Sequence, residues 1–228
     1  MRIFFFLLIL MLSGFFKSVF AQDDIVLDLD SIKNIKTTRY STINEVGANI
    51  NVSGMMIQKL PGTQKKTTLQ TDKPGMLFRT VHGALINPNL FIGAGTGFDF
   101  RPNGTNGTSY YFFTFPFFAE SREYFLNGSF RMFAAQRLGA SLYVDSYYLK
   151  YYKKTSSKGA FMEILFGGRY VKPGKNFALH FSAGYRFQHL QRKVDVQSVS
   201  GGTNFQIYSN TPEITLKHYI PITIGITY

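Results

Sequence analysis

His180 and Ser182 stand two residues apart, and a ring base beside a hydroxyl is the minimum equipment for nucleophilic hydrolysis if an acid orients the ring. No acid is placed in the sequence to complete such a set, so the expected role of His180 is that of an enclosed, hydrogen-bonded residue. Gly93, Gly95 and Gly97 have the spacing of a phosphate loop, but that loop must open a helix. Phe98-Asp99-Phe100-Arg101 continues as strand instead, which removes the reading. His82, His189 and His218 are scattered singly and form no metal spacing. With no Cys in the chain, a disulfide, a thiolate metal site and a Cys nucleophile are excluded together. No catalytic residue, no metal and no cofactor are therefore expected. The chemistry that remains is ionic: Glu45, Asp99, Glu120 and Glu163 against Arg101, Arg122, Arg131, Arg137, Arg169 and Arg186.

What those ten residues do depends on the elements that carry them. The chain has 228 residues, of which 17% are charged, below the roughly 25% usual for soluble domains. Aromatic residues also make up 17%, supplied entirely by 24 Phe and 14 Tyr. That is too few charges and too many rings for an ordinary cytosolic enzyme, and too apolar for disorder. A net charge of +12 fits nucleic acid, an anionic membrane surface or acidic glycolipid as the facing partner.

The amino terminus narrows the choice. Arg2 precedes an apolar run from Ile3 to Leu12, and Val19-Phe20-Ala21 offers short side chains where a signal peptidase reads. Residues 1–21 are expected to be a signal peptide, followed by a periplasmic leader over 22–40. The run is interrupted by Ser13, Gly14 and Lys17, shorter than the ~20 apolar residues of a spanning helix. Export removes nucleic acid from the expected partners.

Beyond Ala21 the sequence alternates with period two. Ile214, Leu216, His218, Ile220, Ile222, Ile224, Ile226 and Tyr228 interleave with Thr215, Lys217, Tyr219, Pro221, Thr223, Gly225 and Thr227, one row almost wholly aliphatic and the other largely polar or small. Leu179, Phe181, Ala183 and Tyr185 interleave with His180, Ser182, Gly184 and Arg186, and Phe113, Phe115 and Phe117 with Thr114, Pro116 and Phe118. Each is a strand with one apolar face. Eight such segments are expected, near 41–52, 76–86, 91–101, 109–125, 130–144, 159–171, 177–196 and 212–228. Their connections alternate between tight turns (87–89, 127–128, 173–176) and longer loops (53–75, 102–108, 145–158, 197–211). Short, long, short, long is the pattern of an outer-membrane barrel with periplasmic turns and extracellular loops. The fold class expected is all-β: an eight-stranded antiparallel up-and-down transmembrane β-barrel over 41–228. A soluble sandwich or lipocalin-like barrel, with the apolar face inward, has the same periodicity.

In hydrocarbon a sheet has to close on itself and turn apolar side chains outward. The ten ionic residues then share one lumen, only just wide enough for side chains, where they pair into a plug. Gly93, Gly95 and Gly97 on the inward row leave room there for long arginines. The second strand is ambiguous: Arg79 inward sends Thr80 and His82 to lipid. Tyr110, Tyr111, Tyr143, Tyr147 and Tyr148 are expected at the outer rim, and Tyr124, Phe125, Phe130, Tyr170, Phe177 and Tyr228 at the inner one.

The stretches Leu90 to Asp99, Phe115 to Phe125, Leu179 to Arg186 and Ile222 to Tyr228 together resemble the small, mostly uncharacterised outer-membrane β-barrel proteins of Bacteroidota, over nearly the whole mature chain. The resemblance implies location in the cell outer membrane and insertion by the outer-membrane assembly machinery, which reads a terminal aromatic, here Tyr228. It supplies no catalytic residue. The His180-x-Ser182 pair is similar to the active-site pair of outer-membrane lipid A deacylases, whose pair faces lipid, whereas here the alternation turns both residues inward. Asp30-Ser31-Ile32 resembles the O-glycosylation motif of the same phylum.

Lys59, Lys65, Lys66 and Lys73 in the first long loop, and Lys150, Lys153, Lys154 and Lys158 in the third, form a basic collar suited to lipid A phosphates and acidic capsule. The function expected is a non-enzymatic structural or interaction role through these basic, Tyr-rich loops. The partners expected are outer-membrane lipid, lipopolysaccharide and an envelope protein. A narrow solute channel, a lipid A-modifying enzyme and an accessory subunit of an outer-membrane complex are the alternatives.

Overall fold

The structure, a computed structural model, describes residues 39–60, 62–69, 73–105, 108–125, 128–145, 157–171, 177–200 and 204–228. The expected signal peptide, most of the leader with Asp30-Ser31-Ile32, the 173–176 turn and residues 146–156 lie outside them. The leader's last two residues, Arg39 and Tyr40, already belong to the first strand.

Nine strands follow in chain order: β1 (Arg39–Leu60), β2 (Thr63–Leu69), β3 (Gly75–Asn87), β4 (Leu90–Thr105), β5 (Thr108–Phe125), β6 (Phe130–Asp145), β7 (Ser157–Val171), β8 (Ala178–Ser200) and β9 (Asn204–Thr227). All pairings are antiparallel. Sequential neighbours pair from β3 to β9, and β1 pairs with both β3 and β9, so eight strands close into a barrel. The ninth, β2, pairs with the distal part of β1, from Gly54↔Leu69 to Leu60↔Thr63. Closure leaves no unpaired edge around the barrel wall, the arrangement an apolar solvent demands.

Register sets the barrel's size. Ladder partners traced from Thr227 through Ile43, Val81, Gly95, Phe118, Gly139, Phe161 and Gln188 return to β9 at Lys217, ten residues from the start. An eight-stranded barrel with such a stagger has tilted strands and an interior filled by side chains.

The facing follows the alternation. Phe115 and Phe117 on β5, Leu179 and Phe181 on β8, and Ile222 and Ile224 on β9 are exposed on the outer surface, whereas Thr114, Glu120, His180, Ser182, Thr223 and Thr227 between them are buried. On β3 the structure resolves the ambiguity: Arg79 is fully buried, and His82 is outside, bonded to Tyr40 Oη at 2.5 Å. Tyr124 and Tyr143, expected on the rims, are buried inside, because each shares the parity of the inward row. Phe125, Phe130, Tyr170 and Tyr228 are exposed near the short-turn end.

Three of the expected long loops are largely strand. β1 runs on to Leu60 and returns as β2, β4 and β5 pair up to Thr105↔Thr108, and β8 and β9 up to Ser200↔Asn204. The period-two apolar pattern of the sequence stops before these hairpins end. The ladder's hydrogen bonds do not depend on it and carry the hairpins further.

Candidate functional site

The lumen is built from the inward rows of all eight barrel strands. Arg137 on β6 is its hub: Nη2 donates to Glu45 Oε2 at 2.6 Å, Nε to Glu120 Oε2 at 2.7 Å and Nη1 to Glu163 Oε1 at 2.9 Å. Arg122 donates to the second oxygens of Glu45 and Glu120, both at 2.8 Å. Arg186 spans Glu163 at 2.5 Å and Asp99 at 2.9 Å, and Arg79 meets Asp99 at 2.5 Å. Arg101 completes the upper edge, donating from Nη2 to Thr114 Oγ1 and Gln188 Oε1 at 3.1 Å each, with Asp99 at 4.0 Å. Four carboxylates and five guanidiniums thus share one network, each with at most 2% of its side chain exposed. Desolvating an ion costs several kcal/mol, and only such multiple, charge-assisted bonding offsets it.

Packing against rings is the other half of the design. Arg122 lies 4.3 Å from the centre of the Phe133 ring, Arg137 5.2 Å from Phe118 and Arg186 5.6 Å from Phe161. These rings join Ile43, Val81, Phe91 and Leu165 in one buried apolar cluster inside the barrel. A guanidinium binds carboxylates at its edge and a π-face on its plane, so both kinds of neighbour fit one residue. The space expected for arginines at Gly93 and Gly95 is taken by rings: a Cβ would lie 2.9 Å from Phe91 Cζ and 2.6 Å from Phe118 Cζ. At Gly97 the close neighbours are backbone atoms of Phe78 and Arg79.

His180 and Ser182 are both buried but do not act on one another. His180 Nε2 donates to Glu45 Oε1 at 3.1 Å, leaving Nδ1 to face Thr227 Oγ1 at 3.4 Å. Ser182 Oγ is bonded to Thr223 Oγ1 at 2.7 Å.

Of the ten residues expected in the lumen, the network holds eight. Arg131 and Arg169 stand apart at the short-turn mouth, where Arg131 donates to Pro88 O at 2.8 Å and Asn89 Oδ1 at 2.5 Å. Arg79 belongs to the network and was obscured because its strand has apolar residues on both faces, with Leu77 and Val81 buried beside it. Gln188, Glu213 and Lys217 are further buried polar residues that share the inward parity of β8 and β9. That parity was the available signal for all three.

On the opposite side of the barrel Lys59, Lys65 and Lys66 are exposed on the β1–β2 hairpin, and Lys73 and Lys158 are exposed at strand ends. Lys150, Lys153 and Lys154 lie outside the described residues. The terminal Tyr228 exchanges backbone hydrogen bonds with Thr42 at 2.9 and 3.0 Å and keeps an exposed side chain. Among the described residues no group of three or more His, Asp or Glu is arranged to hold a metal ion.

No protein-family model and no curated protein matches this sequence. Solved structures do match in fold. The outer membrane protein OprG from Pseudomonas aeruginosa is 11% identical over 84% of this chain and 97% of its own, with a TM-score of 0.51. Neisserial surface protein A, at 11% identity over 84% and 98%, has a TM-score of 0.42. The attachment invasion locus protein Ail of Yersinia pestis, at 12% identity over 83% and 99%, has a TM-score of 0.40. The likeness that carries weight is to OprG, and it is one of fold: a small, closed, eight-stranded antiparallel barrel of the outer-membrane type.

Proposed function

We propose that this chain is an integral bacterial outer-membrane barrel, related to the small barrels of Bacteroidota, which acts without catalysis or conduction as a structural or interaction protein. A surface carrying Val46, Met76, Phe98, Phe117, Phe166, Phe181 and Ile224, each more than 40% exposed, supports the membrane half of this reading. Soluble monomers rarely leave so large an apolar area in water. The observation that carries the functional half is the plug: Arg137 bonds three carboxylates from three strands, and its neighbours extend the network to Asp99 and Arg79. A lumen so filled leaves its hairpins as the working surface. Exposed Lys59, Lys65 and Lys66 on the β1–β2 hairpin suit phosphates of lipopolysaccharide or an acidic envelope partner. The separate engagements of His180 and Ser182 support a non-enzymatic role, and the paired, exposed Tyr228 suits recognition by assembly machinery.

Planar-bilayer recording of the purified protein tests the reading. The expected result is silence at either polarity; steady unitary currents would favour a narrow channel and overturn the plug. Membrane residence is checked separately by retention after carbonate washing and by heat-modifiable migration on a gel.

A further inference from the structure

Arg131 and Arg169 are direct cross-strand partners in the β6–β7 ladder, on the inward face at the short-turn mouth. Like charges placed directly opposite repel, and sheets usually avoid the arrangement. Here both guanidiniums also address one ring: the Arg131 Cζ lies 5.5 Å and the Arg169 Cζ 5.0 Å from the centre of Tyr124. Tyr124 is itself buried, packs edge-on against Phe133 at 6.0 Å, and so joins the mouth to Arg122, which stacks on that same Phe133.

Three cations therefore crowd one pair of rings. Arg122 has its carboxylates, Glu45 and Glu120. Arg169 has none: among the described residues no ion pair includes it, and its buried Nε has no hydrogen-bond partner. Arg122 Nη1 is also buried without one, although the residue is fully enclosed. An unpartnered buried donor on a cation is costly, and a neighbouring cation makes it more so. A group that brings negative charge and several acceptor oxygens removes both penalties at once.

We propose that this mouth is an oxyanion site, in which Arg169 and Arg131, both positioned over the Tyr124 ring, hold a phosphate-type group with their guanidinium edges. Two guanidiniums give the planar, forked donors that match the oxygens of a phosphate monoester or diester. The group comes from free phosphate or from a phospholipid headgroup at the inner rim. The site is chemically separate from the lysine-bearing hairpins; its free-phosphate arm is independent of the functional reading above and is measured in micelles, and its headgroup arm rests on that reading.

The test uses the full mature chain folded in octyl glucoside, a micelle free of phosphate. Inorganic phosphate is titrated at constant ionic strength against chloride, with the Arg169 side-chain 15Nε resonance and calorimetric heat as readouts. Saturable binding that weakens at least tenfold in Arg169→Gln and in Arg131→Gln supports a free oxyanion. If micelles give no response, the same resonance is compared in nanodiscs of phosphatidylglycerol and of uncharged glycolipid. A shift in the first alone, lost in Arg131→Gln, supports the headgroup source. No response in either medium, or one that both substitutions leave unchanged, overturns the site. Heat-modifiable migration confirms folding of each variant, and should Arg169→Gln fail to fold, Arg131→Gln at the half-exposed rim position decides alone.

Discussion

In the middle of the lumen Arg137 touches three carboxylates, whereas at the short-turn mouth Arg169 touches none among the described residues. Both arginines project inward from neighbouring strands and both stack on an aromatic ring. The difference lies in what the facing strands supply. At mid-barrel β1, β5 and β7 each bring a glutamate to the same height, so Arg137 meets three carboxylates and Arg122 two, with the carboxylates shared between them. At the mouth the ladder sets Arg131 opposite Arg169 instead. The mid-lumen network is suited to holding strands together, whereas Arg169, whose buried Nε has no hydrogen-bond partner among the described residues, is suited to holding something else.

The comparison breaks most visibly at Glu45, which serves Arg122, Arg137 and His180 together. Glu45→Ala takes one carboxylate from each of Arg122 and Arg137, which keep Glu120 and, for Arg137, Glu163, and loss of one partner of a buried pair costs about 3–5 kcal/mol. Urea unfolding in lipid vesicles should show a loss of that size; a change within experimental error would mean the network contributes no stability.

A smaller loss is expected from Gly225→Ala. The new methyl carbon would lie 2.5 Å from His180 Cε1 and Nε2, pressing on the ring that bonds Glu45, and overpacking of this kind costs about 1–3 kcal/mol. The same unfolding assay reads it. A neutral outcome would show the wall there to be compliant.

At the mouth the sign should reverse. Arg169→Gln removes a like-charge pair and is expected to leave stability unchanged or to raise it by about 0.2–1 kcal/mol in phosphate-free medium. A loss comparable to that of Glu45→Ala would erase the distinction between the two regions. Least affected of all should be the combined Lys65→Glu and Lys66→Glu variant, because both side chains are exposed on the β1–β2 hairpin. Its unfolding midpoint should match wild type, while retention on lipopolysaccharide-coated beads falls and loses its salt dependence.

How much of this was legible depends on the strand. β5, β8 and β9 read clearly because their outward rows are almost wholly apolar and their inward rows carry Glu120, Arg122, His180, Arg186 or Lys217. β3 did not, since Leu77 and Val81 flank Arg79 on the inner face while Met76 and Phe78 occupy the outer one. The hairpin β1–β2 was hidden for another reason: Met55-Met56-Ile57 breaks the alternation on β1 and β2 is largely polar, so period-two patterning disappears while backbone pairing persists. The ring contacts of the lumen were concealed by residue type: Tyr124 and Tyr143 have inward parity, but a Tyr near a strand end in a sequence of this composition reads first as a rim residue.

Residue type, the eight strands of the barrel wall and, outside β3, the facing of their side chains were thus settled by the sequence, because a strand's two faces are fixed by alternation and an apolar exterior admits only one choice of face. Which arginine meets which carboxylate was settled only by the fold. A stagger of ten residues around eight strands sets the height at which Glu45, Glu120 and Glu163 arrive, and leaves Arg131 and Arg169 below their reach. That height is a property of the closed sheet and of no single strand within it.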